Sequence, residues 1–239
     1  MTTEEISKQM PKHLVIIPDG NRRWAKDRGL APWEGHEAGA ENTEKLIRFA
    51  LKKGVYCITF WGSSIDNLTK RPIQEKKALL DIYKKYFERM LEGADIYENE
   101  IKVNFIGRWE EQFPESLKRI LHTLVEKTKD YEKKIINFML AYNGDDEMLS
   151  AIAKIHNKYE KGIEITGQML KENLMTADLP AVDYLVRTGG DAHLSAGFMM
   201  WDMANAQLCF VDDKYPDFND EKLGEALDEY ANRQRRYGE

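Results

Sequence analysis

The sequence predicts a single α/β domain with a central, mostly parallel six-stranded sheet flanked by helices. Short apolar runs alternate with long amphipathic segments along the 239 residues. The apolar runs are rich in Ile, Val, Phe and Tyr, as buried parallel strands tend to be, and the chain shows no internal repeat and no linker rich in Pro, Gly or Ser. Alternation of this kind favours a parallel sheet covered by helices. The predicted domain spans residues 1–239, with a polar N-terminal tail at 1–12.

The individual elements follow from the apolar pattern. The predicted strands are residues 13–19, 55–62, 101–107, 135–142, 183–188 and 206–212. The predicted helical segments are 35–53, 72–97, 113–130, 145–160, 166–175 and 219–236. In the second helical segment, Leu79, Tyr83 and Phe87 recur every four residues, which places them on one face of a helix.

Composition and charge narrow the class of function. Hydrophobic residues make up 42% and charged residues 32% of the chain, as in globular proteins with a buried core. The net charge of −6 supplies no overall positive field for nucleic acid, so any anion site has to be local. Cys57 and Cys209 lie in apolar runs, which is typical of reduced, buried thiols. With no visible signal peptide or apolar stretch of membrane-spanning length, we expect a cytoplasmic protein with no nucleic-acid partner.

A charged turn, PDGNRRW at 18–24, follows the first predicted strand. Ligands of parallel sheets bind at the carboxyl ends of the strands. There, N–H groups at a helix start can hold phosphate oxygens, guanidinium groups can bind them bidentately, and Asp19 can hold a hard cation. A turn with an N-cap Asp and solvated arginines is the alternative, and the local pattern does not decide between the two.

Two further polar groups follow other predicted strands. The run SSIDN at 63–67 precedes Lys70 and Arg71, and RTGGD at 187–191 precedes Ser195. Adjacent glycines let the backbone approach a ligand closely. Each group alone is a weak signal, because Gly-rich turns are common after strands. Three groups at the ends of strands predict one shared phosphate site.

The sequence resembles the cis-prenyltransferases, the family that includes undecaprenyl diphosphate synthase. The run HLVIIPDGNRRWA followed by GHEAGAEN resembles the amino-terminal signature of that family, and VDYLVRTGGDAHLS followed by YPDF at 215–218 resembles its carboxy-terminal signature. Together with NRQRRYG at 232–238, these motifs span residues 13–238 in the family's order. The resemblance implies an enzyme that uses Mg2+ to join isopentenyl diphosphate to an allylic prenyl diphosphate, giving a polyprenyl diphosphate and pyrophosphate.

The resemblance also implies roles for individual residues. Asp19 would be the catalytic and Mg2+-binding carboxylate, and Asn67 would be the proton acceptor. The substrate-binding residues that it implies are Gly20, Asn21, Arg22, Arg23, Trp24, His36, Ser64, Asp66, Leu68, Arg71, Arg187, His193, Ser195, Arg236 and Gly238. The turn at 20–24 would hold the allylic diphosphate, while Arg187 and Ser195 would bind isopentenyl diphosphate.

The architecture implied by the resemblance is an apolar tunnel for the growing chain, inside each subunit of a homodimer. Residues 236–238 resemble an Arg-x-Gly motif that reaches the active site of the partner subunit. Peripheral contact with a membrane through the lipid product is a further expectation.

Several positions depart from the family pattern. Leu68 stands where an aromatic residue is usual, and His193 stands where most members carry arginine. Gln207 occupies the family's second acidic position and is a weaker metal ligand than a carboxylate, so Mg2+ would rest on Asp19 and the substrate phosphates. These changes leave the substrates and the product more open than the reaction class.

Two alternatives therefore accompany this interpretation. The first is an enzyme of the same fold that makes a short or branched, non-head-to-tail prenyl diphosphate, although Gly62 leaves room for a longer product. The second is a non-catalytic partner subunit of a prenyltransferase complex. Such subunits typically lose the aspartate of the first motif, and Asp19 is present here.

Overall fold

Six parallel strands organise the computed structural model, which describes residues 10–159 and 162–233. The strands are β1 His13–Ile17, β2 Cys57–Trp61, β3 Ile101–Ile106, β4 Lys134–Met139, β5 Tyr184–Arg187 and β6 Gln207–Phe210. Their order in the sheet is β3-β4-β2-β1-β5-β6, and every neighbouring pair is parallel. The six predicted strands are confirmed, with ends that differ by up to three residues, and the sheet of the described chain is wholly parallel.

The side chains of β1 are buried on both faces of the sheet. Leu14 and Ile16 belong to one apolar cluster, whereas Val15 and Ile17 belong to another. This alternation explains why the strand reads as a continuous apolar run rather than an alternating one. Each buried side chain of this size stabilises the fold by about 1.5–3 kcal/mol relative to an exposed one.

Helices pack on this sheet. They are α1 Asn21–Asp27, α2 Pro32–Lys52, α3 Ile65–Thr69, α4 Ile73–Glu92, α5 Ala94–Glu98, α6 Trp109–Gln112, α7 Glu115–Thr128, α8 Gly144–Lys158, α9 Gly167–Asn173 and α10 Asp220–Asn232. All six predicted helical segments contain a helix. The prediction of one helix over 72–97 is corrected, because Gly93 adopts an extended conformation and separates α4 from α5.

A row of buried polar side chains crosses four strands. His13 Nδ1 lies 2.8 Å from the Pro180 carbonyl oxygen, and His13 Nε2 lies 2.8 Å from Thr59 Oγ1. Asn137 donates to Thr59 Oγ1 over 2.9 Å and accepts from Asn104 over 2.9 Å. A neutral imidazole with its proton on Nδ1 satisfies this row, and burial lowers the pKa of His13, which favours that neutral form. The row ties β1, β2, β4 and β3 to one register.

The part of the chain that the structure describes includes no helix with the length and apolar character needed to cross a bilayer.

Candidate active site

An open cleft of about 2080 Å³ lies beyond the carboxyl ends of β1, β2 and β5. Register explains the location, because Ile17 at the end of β1 pairs with Arg187 at the end of β5. The predicted site residues that line this cleft are Asp19, Gly20, Asn21, Arg22, Arg23, His36, Ser64, Asn67, Arg71, Arg187 and Ser195. The three polar groups of the sequence therefore meet in one place, as parallel strands require.

Asp19 lies between two arginines at the centre of the cleft. Its Oδ2 accepts a hydrogen bond from Arg187 Nη2 over 2.8 Å, and its Oδ1 lies 3.3 Å from Arg23 Nη2. The backbone N–H of Gly20 also donates to Oδ1 over 2.6 Å. We call Asp19, Arg23 and Arg187 the Asp19 cluster. Its carboxylate side chain is 31% exposed, so it remains open to a ligand from the cleft.

Arg187 connects Asp19 to the loop that follows β5. Its Nη1 donates to the His193 carbonyl oxygen over 2.7 Å and to Ser195 Oγ over 3.1 Å. Its Nε is buried and has no hydrogen-bond partner among the described residues. A buried N–H donor destabilises the folded state unless it has a hydrogen-bond acceptor. A phosphate oxygen would supply that acceptor.

Gly189 allows the loop to pass close to Asp19 and Arg23. Its φ of +92° is a conformation that side chains other than glycine rarely adopt. A Cβ at this position would lie 2.7 Å from Arg23 Nη2 and 3.2 Å from Asp19 Cβ. Gly189 of the Gly-Gly pair thus allows the backbone of this loop to approach Asp19 and Arg23 closely.

A second charged group contributes Arg22, His36 and Arg71 to the wall of the cleft. Glu75 Oε1 lies 3.4 Å from Arg71 Nη1, 3.5 Å from Arg22 Nε and 3.3 Å from His36 Nε2. We call these four residues the Glu75 cluster. The sequence interpretation missed Glu75, although Arg71 and Glu75 have the four-residue spacing at which ion pairs form on a helix.

Burial controls protonation in the Glu75 cluster. Burial and the neighbouring charge of Arg71 lower the pKa of His36 to about 4. Its imidazole is therefore neutral near pH 7, and Nε2 accepts from Arg71 Nη1 over 3.1 Å in the tautomer protonated on Nδ1. Burial also lowers the pKa of Arg71, and the Glu75 carboxylate opposes that shift.

Asn67 and Ser64 hold each other at the start of α3. The Asn67 N–H donates to Ser64 Oγ over 3.1 Å, and Asn67 Oδ1 accepts from the Ser64 N–H over 3.3 Å. This capping box fixes the Asn67 side chain on the cleft wall. Its role as a proton acceptor remains a prediction.

The side chains of Trp24, Asp66 and Leu68 point elsewhere. The Trp24 indole donates to Asp217 over 2.7 Å, and Trp24 is not among the residues that line the cleft. Asp66 forms a surface ion pair with Lys70, and Leu68 is 1% exposed within the main apolar cluster. Any contact of these three with substrate therefore stays a prediction that the geometry does not support directly.

His193 and Gln207 are also not among the residues that line the cleft. His193 Nε2 lies 3.0 Å from Ser195 Oγ, so this side chain contacts the cleft only through its neighbour. Gln207 begins β6 and pairs with the first residue of β5, about 10 Å along the strand from the carboxyl end. Within one chain, Gln207 is therefore not a partner of Asp19. Arg236 and Gly238 lie outside the described residues.

The donor set of the cleft fits a cation that arrives with phosphate. No group of three or more His, Cys, Asp or Glu side chains converges as a metal site in residues 10–159 and 162–233. Asp19 offers one exposed carboxylate. A second carboxylate, Asp191, accepts a hydrogen bond at Oδ2 from Arg23 Nη2 over 3.1 Å. Mg2+ is commonly held by one or two carboxylates together with substrate phosphates and water. The residues present therefore fit Mg2+ bound jointly with a diphosphate.

An apolar cavity adjoins the cleft. The two share Pro18, Asn21, His36 and Gly62 in their walls. Its further lining comes from α2, β2, α4 and β4 and includes Ala40, Ile47, Phe60, Leu79, Ile82, Tyr83, Phe87, Phe138 and Leu140. A ligand with a polar head and an apolar tail would meet a charged wall and then an apolar one.

Comparisons with known proteins agree with this arrangement. Residues 17–238 match the family model described as putative undecaprenyl diphosphate synthase. An isoprenyl transferase of Thermus thermophilus is 35% identical over 237 residues, which cover 96% of this chain and 89% of the relative. A tritrans,polycis-undecaprenyl-diphosphate synthase (geranylgeranyl-diphosphate specific) of Methanopyrus kandleri is 33% identical over 234 residues, covering 96% and 85%.

A solved structure is similar over the same extent. The crystal structure of lavandulyl diphosphate synthase from Lavandula x intermedia, in complex with dimethylallyl diphosphate, superposes with a TM-score of 0.88. It is 27% identical to this chain, and the match covers 96% of this chain and 99% of that one.

Proposed function

Because the chain belongs to the undecaprenyl diphosphate synthase family and is a prenyltransferase, we propose that it condenses isopentenyl diphosphate with an allylic prenyl diphosphate. The products would be a polyprenyl diphosphate with a new cis double bond and pyrophosphate. The observation that carries this proposal is the continuity of a cationic cleft with an apolar cavity. The family resemblance and the enzyme class that the sequence implied are confirmed.

The cleft supports a division between two diphosphates. The Glu75 cluster borders the apolar cavity through His36, so the allylic diphosphate would lie near Arg22 and Arg23 with its tail in the cavity. Each CH2 of that tail is stabilised by about 0.8 kcal/mol on burial. Isopentenyl diphosphate would lie against Arg187 and Ser195, which already share a hydrogen bond.

The proposed reaction breaks the bond between C1 and oxygen in the allylic diphosphate. The double bond of isopentenyl diphosphate supplies the electron pair for the new carbon–carbon bond, and a proton then leaves the isopentenyl unit. The arginines stabilise the negative charge that grows on the departing pyrophosphate. Asn67, fixed on the wall of the cleft, is assigned to accept the proton. Holding both substrates in one cleft lowers the entropic cost of their encounter.

Mg2+ is the cofactor of this proposal. Asp19 and the diphosphate oxygens would hold it, and it would neutralise charge on the departing pyrophosphate. Asp191 is a second carboxylate near that position, although its present partner is Arg23.

We also propose a homodimer in which residues 236–238 of one subunit reach the cleft of the other. Contact with a membrane surface through the lipid product, in a cytoplasmic setting, completes the proposal. Light scattering of the purified protein would test the dimer, and a monomer at micromolar concentration would contradict it.

A second candidate is the synthesis of a short or branched prenyl diphosphate. The observation that favours it is the similarity to lavandulyl diphosphate synthase at a TM-score of 0.88. This candidate uses the same cleft and differs in which substrate supplies the attacking double bond.

One assay separates the candidates. Purified protein is incubated with Mg2+, radiolabelled isopentenyl diphosphate and, in turn, dimethylallyl, geranyl, farnesyl or geranylgeranyl diphosphate, and the dephosphorylated products are sized. Longer cis-prenols with any starter support the proposal, and the starter that gives the fastest reaction identifies the natural class. A product from radiolabelled dimethylallyl diphosphate, in a parallel reaction without isopentenyl diphosphate, favours the second candidate. No product from a folded dimer contradicts both and leaves the non-catalytic subunit.

A further inference from the structure

Glu75 is a buried carboxylate that the proposed reaction does not use. It lies in the first turn of α4, and its side chain is 5% exposed. It is absent from the described residues that line the cleft. Its Oε1 nevertheless lies within 3.5 Å of side chains from α1, from α2 and from the segment before α4. Glu75 thus joins three separate parts of the cleft wall.

The two arginines of the Glu75 cluster are anchored on one side and open on the other. Arg22 and Arg71 both line the cleft, and each approaches Glu75 through a single nitrogen, Nε for Arg22 and Nη1 for Arg71. A guanidinium carries five N–H donors, so further donors of each arginine stay available to the cleft. With a neutral His36, the cluster carries a net charge of +1.

A carboxylate is needed at this position because the arginines repel each other. The charge of Arg22 lowers the pKa of Arg71, whereas Glu75 raises it. Removing one partner of a buried ion pair leaves an uncompensated charge that is strongly unfavourable. Without Glu75, the side chain of Arg22, which is 58% exposed, is free to rotate away from Arg71 into solvent.

We propose that Glu75 is a positioning residue that holds Arg22 and Arg71 in the arrangement that binds the diphosphate group of a substrate. Glu75 itself does not touch the ligand. The inference rests on the proposed function only in naming the ligand a prenyl diphosphate. The two arginines by themselves would bind any diphosphate group.

Two substitutions separate charge from shape. Glu75→Gln keeps the length of the side chain and an acceptor oxygen but removes the charge, and we expect it to weaken diphosphate binding about tenfold. Glu75→Asp keeps the charge on a side chain shorter by one CH2, and we expect affinity within about threefold of the wild type. A carboxylate needed only for packing would give the opposite order, because Gln matches the shape of Glu more closely than Asp does.

Glu147→Gln is the matched control. Glu147 is also buried, at 2% exposure, but it lies in α8, accepts from the Thr176 N–H over 3.0 Å and bonds to the Tyr142 hydroxyl. It is outside the residues that line the cleft. We expect this variant to bind diphosphate as the wild type does.

The experiment is calorimetric titration of the full-length protein and its variants with inorganic pyrophosphate, with thermal unfolding of each variant by circular dichroism. The expected result is weaker binding for Glu75→Gln, near-wild-type binding for Glu75→Asp and unchanged binding for Glu147→Gln. Unaltered affinity in a folded Glu75→Gln, or equal losses in both Gln variants, would overturn the inference. If Glu75→Gln does not fold, Glu75→Asp decides, because affinity within about threefold of the wild type supports the inference and a loss of tenfold or more in a folded Asp variant overturns it.

Steady-state kinetics extend the test to the proposed reaction. We expect Glu75→Gln to raise KM for the allylic substrate about tenfold and to change kcat less than threefold. A wild type that binds pyrophosphate through Glu75-dependent arginines but transfers no prenyl group would refute the proposed function and leave this inference standing. A wild type that does not bind pyrophosphate would overturn the inference itself.

Discussion

The Asp19 cluster and the Glu75 cluster each place one carboxylate beside two arginines, with His36 added in the second, but the two carboxylates differ in exposure. Asp19 lies between Arg23 and Arg187 with its side chain 31% exposed, whereas the Glu75 side chain is 5% exposed. An exposed carboxylate can exchange its arginines for a metal ion or a substrate proton. A buried carboxylate keeps its arginines and therefore fixes their geometry. In the proposed reaction, solvent access, more than residue identity, separates the reacting carboxylate from the positioning one.

The largest expected effect is at the exposed carboxylate. Asp19→Asn keeps the shape of the side chain but removes the charge that faces the cleft, and we expect kcat to fall by on the order of 10³-fold. Stability should change little, because the position is partly solvated. Product formation from radiolabelled isopentenyl diphosphate measures the first effect and urea unfolding the second. Activity within tenfold of the wild type would remove the distinction between the two clusters.

Arg187→Lys tests the geometry of the same cluster. One ammonium cannot meet Asp19, Ser195 and the His193 carbonyl oxygen together, as the planar guanidinium does. We expect kcat/KM for isopentenyl diphosphate to fall about 10- to 100-fold, equivalent to the loss of one or two charge-assisted hydrogen bonds. Arg48→Lys, in an exposed pair with Asp95, is the control and should leave kcat/KM unchanged. An equal loss in both variants would contradict the prediction.

The Glu75 cluster should make stability depend on pH. The pKa of His36 is lowered from 6.5 to about 4 in the folded protein, so the unfolded chain binds more protons between these values. Stability is therefore complete above pH 6.5 and is lost as the pH falls towards 4. Between pH 6.5 and 5 the loss is about 1–2 kcal/mol.

Urea unfolding of the wild type and of His36→Asn at pH 7, 6 and 5 checks this expectation. His13 also has a lowered pKa and contributes with the same sign, so the difference between the two proteins isolates His36. Parallel pH profiles for the two proteins would show that His36 titrates normally.

The smallest expected effect concerns an exposed ion pair beside the cleft. Lys70 bonds to Asp66 over 2.7 Å, with both side chains largely solvated. We expect Lys70→Ala to lower the free energy of unfolding by less than about 0.5 kcal/mol, because exposed pairs of this spacing contribute little. Steady-state rates should stay within twofold of the wild type. A larger loss of activity would show that Asp66 and Lys70 belong to the functional cleft after all.

Sequence patterns predicted the strands better than they predicted the cleft. A strand such as β1 is visible as an apolar run because both of its faces are buried. The contact of Trp24 with substrate, which the resemblance implies, remains a prediction, and a helix turns about 100° per residue. Two residues after Arg22, its indole therefore points to another side of α1, where it bonds to Asp217.

Features that depend on tertiary packing were less accessible to sequence reasoning. Glu75 lies in an amphipathic helix among many exposed acids, and only packing shows that it is buried. The polar row from His13 through Thr59 to Asn137 requires the register between strands, which a single sequence does not reveal. The proximity of Asp19 and Arg187 could be expected from the sequence, because parallel strands place their carboxyl ends at one edge of the sheet, whereas their roles remain predictions.

The order of strands also has a consequence during synthesis of the protein. The first four strands along the chain form the contiguous block β3-β4-β2-β1, which is complete at Met139, whereas β5 and β6 end only at Phe210. At a translation rate of 5–20 residues per second, the roughly 70 residues in between take about 4 to 14 s. Until β5 has emerged at Arg187 and paired with β1, that edge of β1 has unpaired N–H and C=O groups, which are a template for association with other nascent chains. The ribosome-bound intermediate therefore exposes a strand edge, and the wall of the cleft is incomplete until Arg187 and Ser195 have emerged.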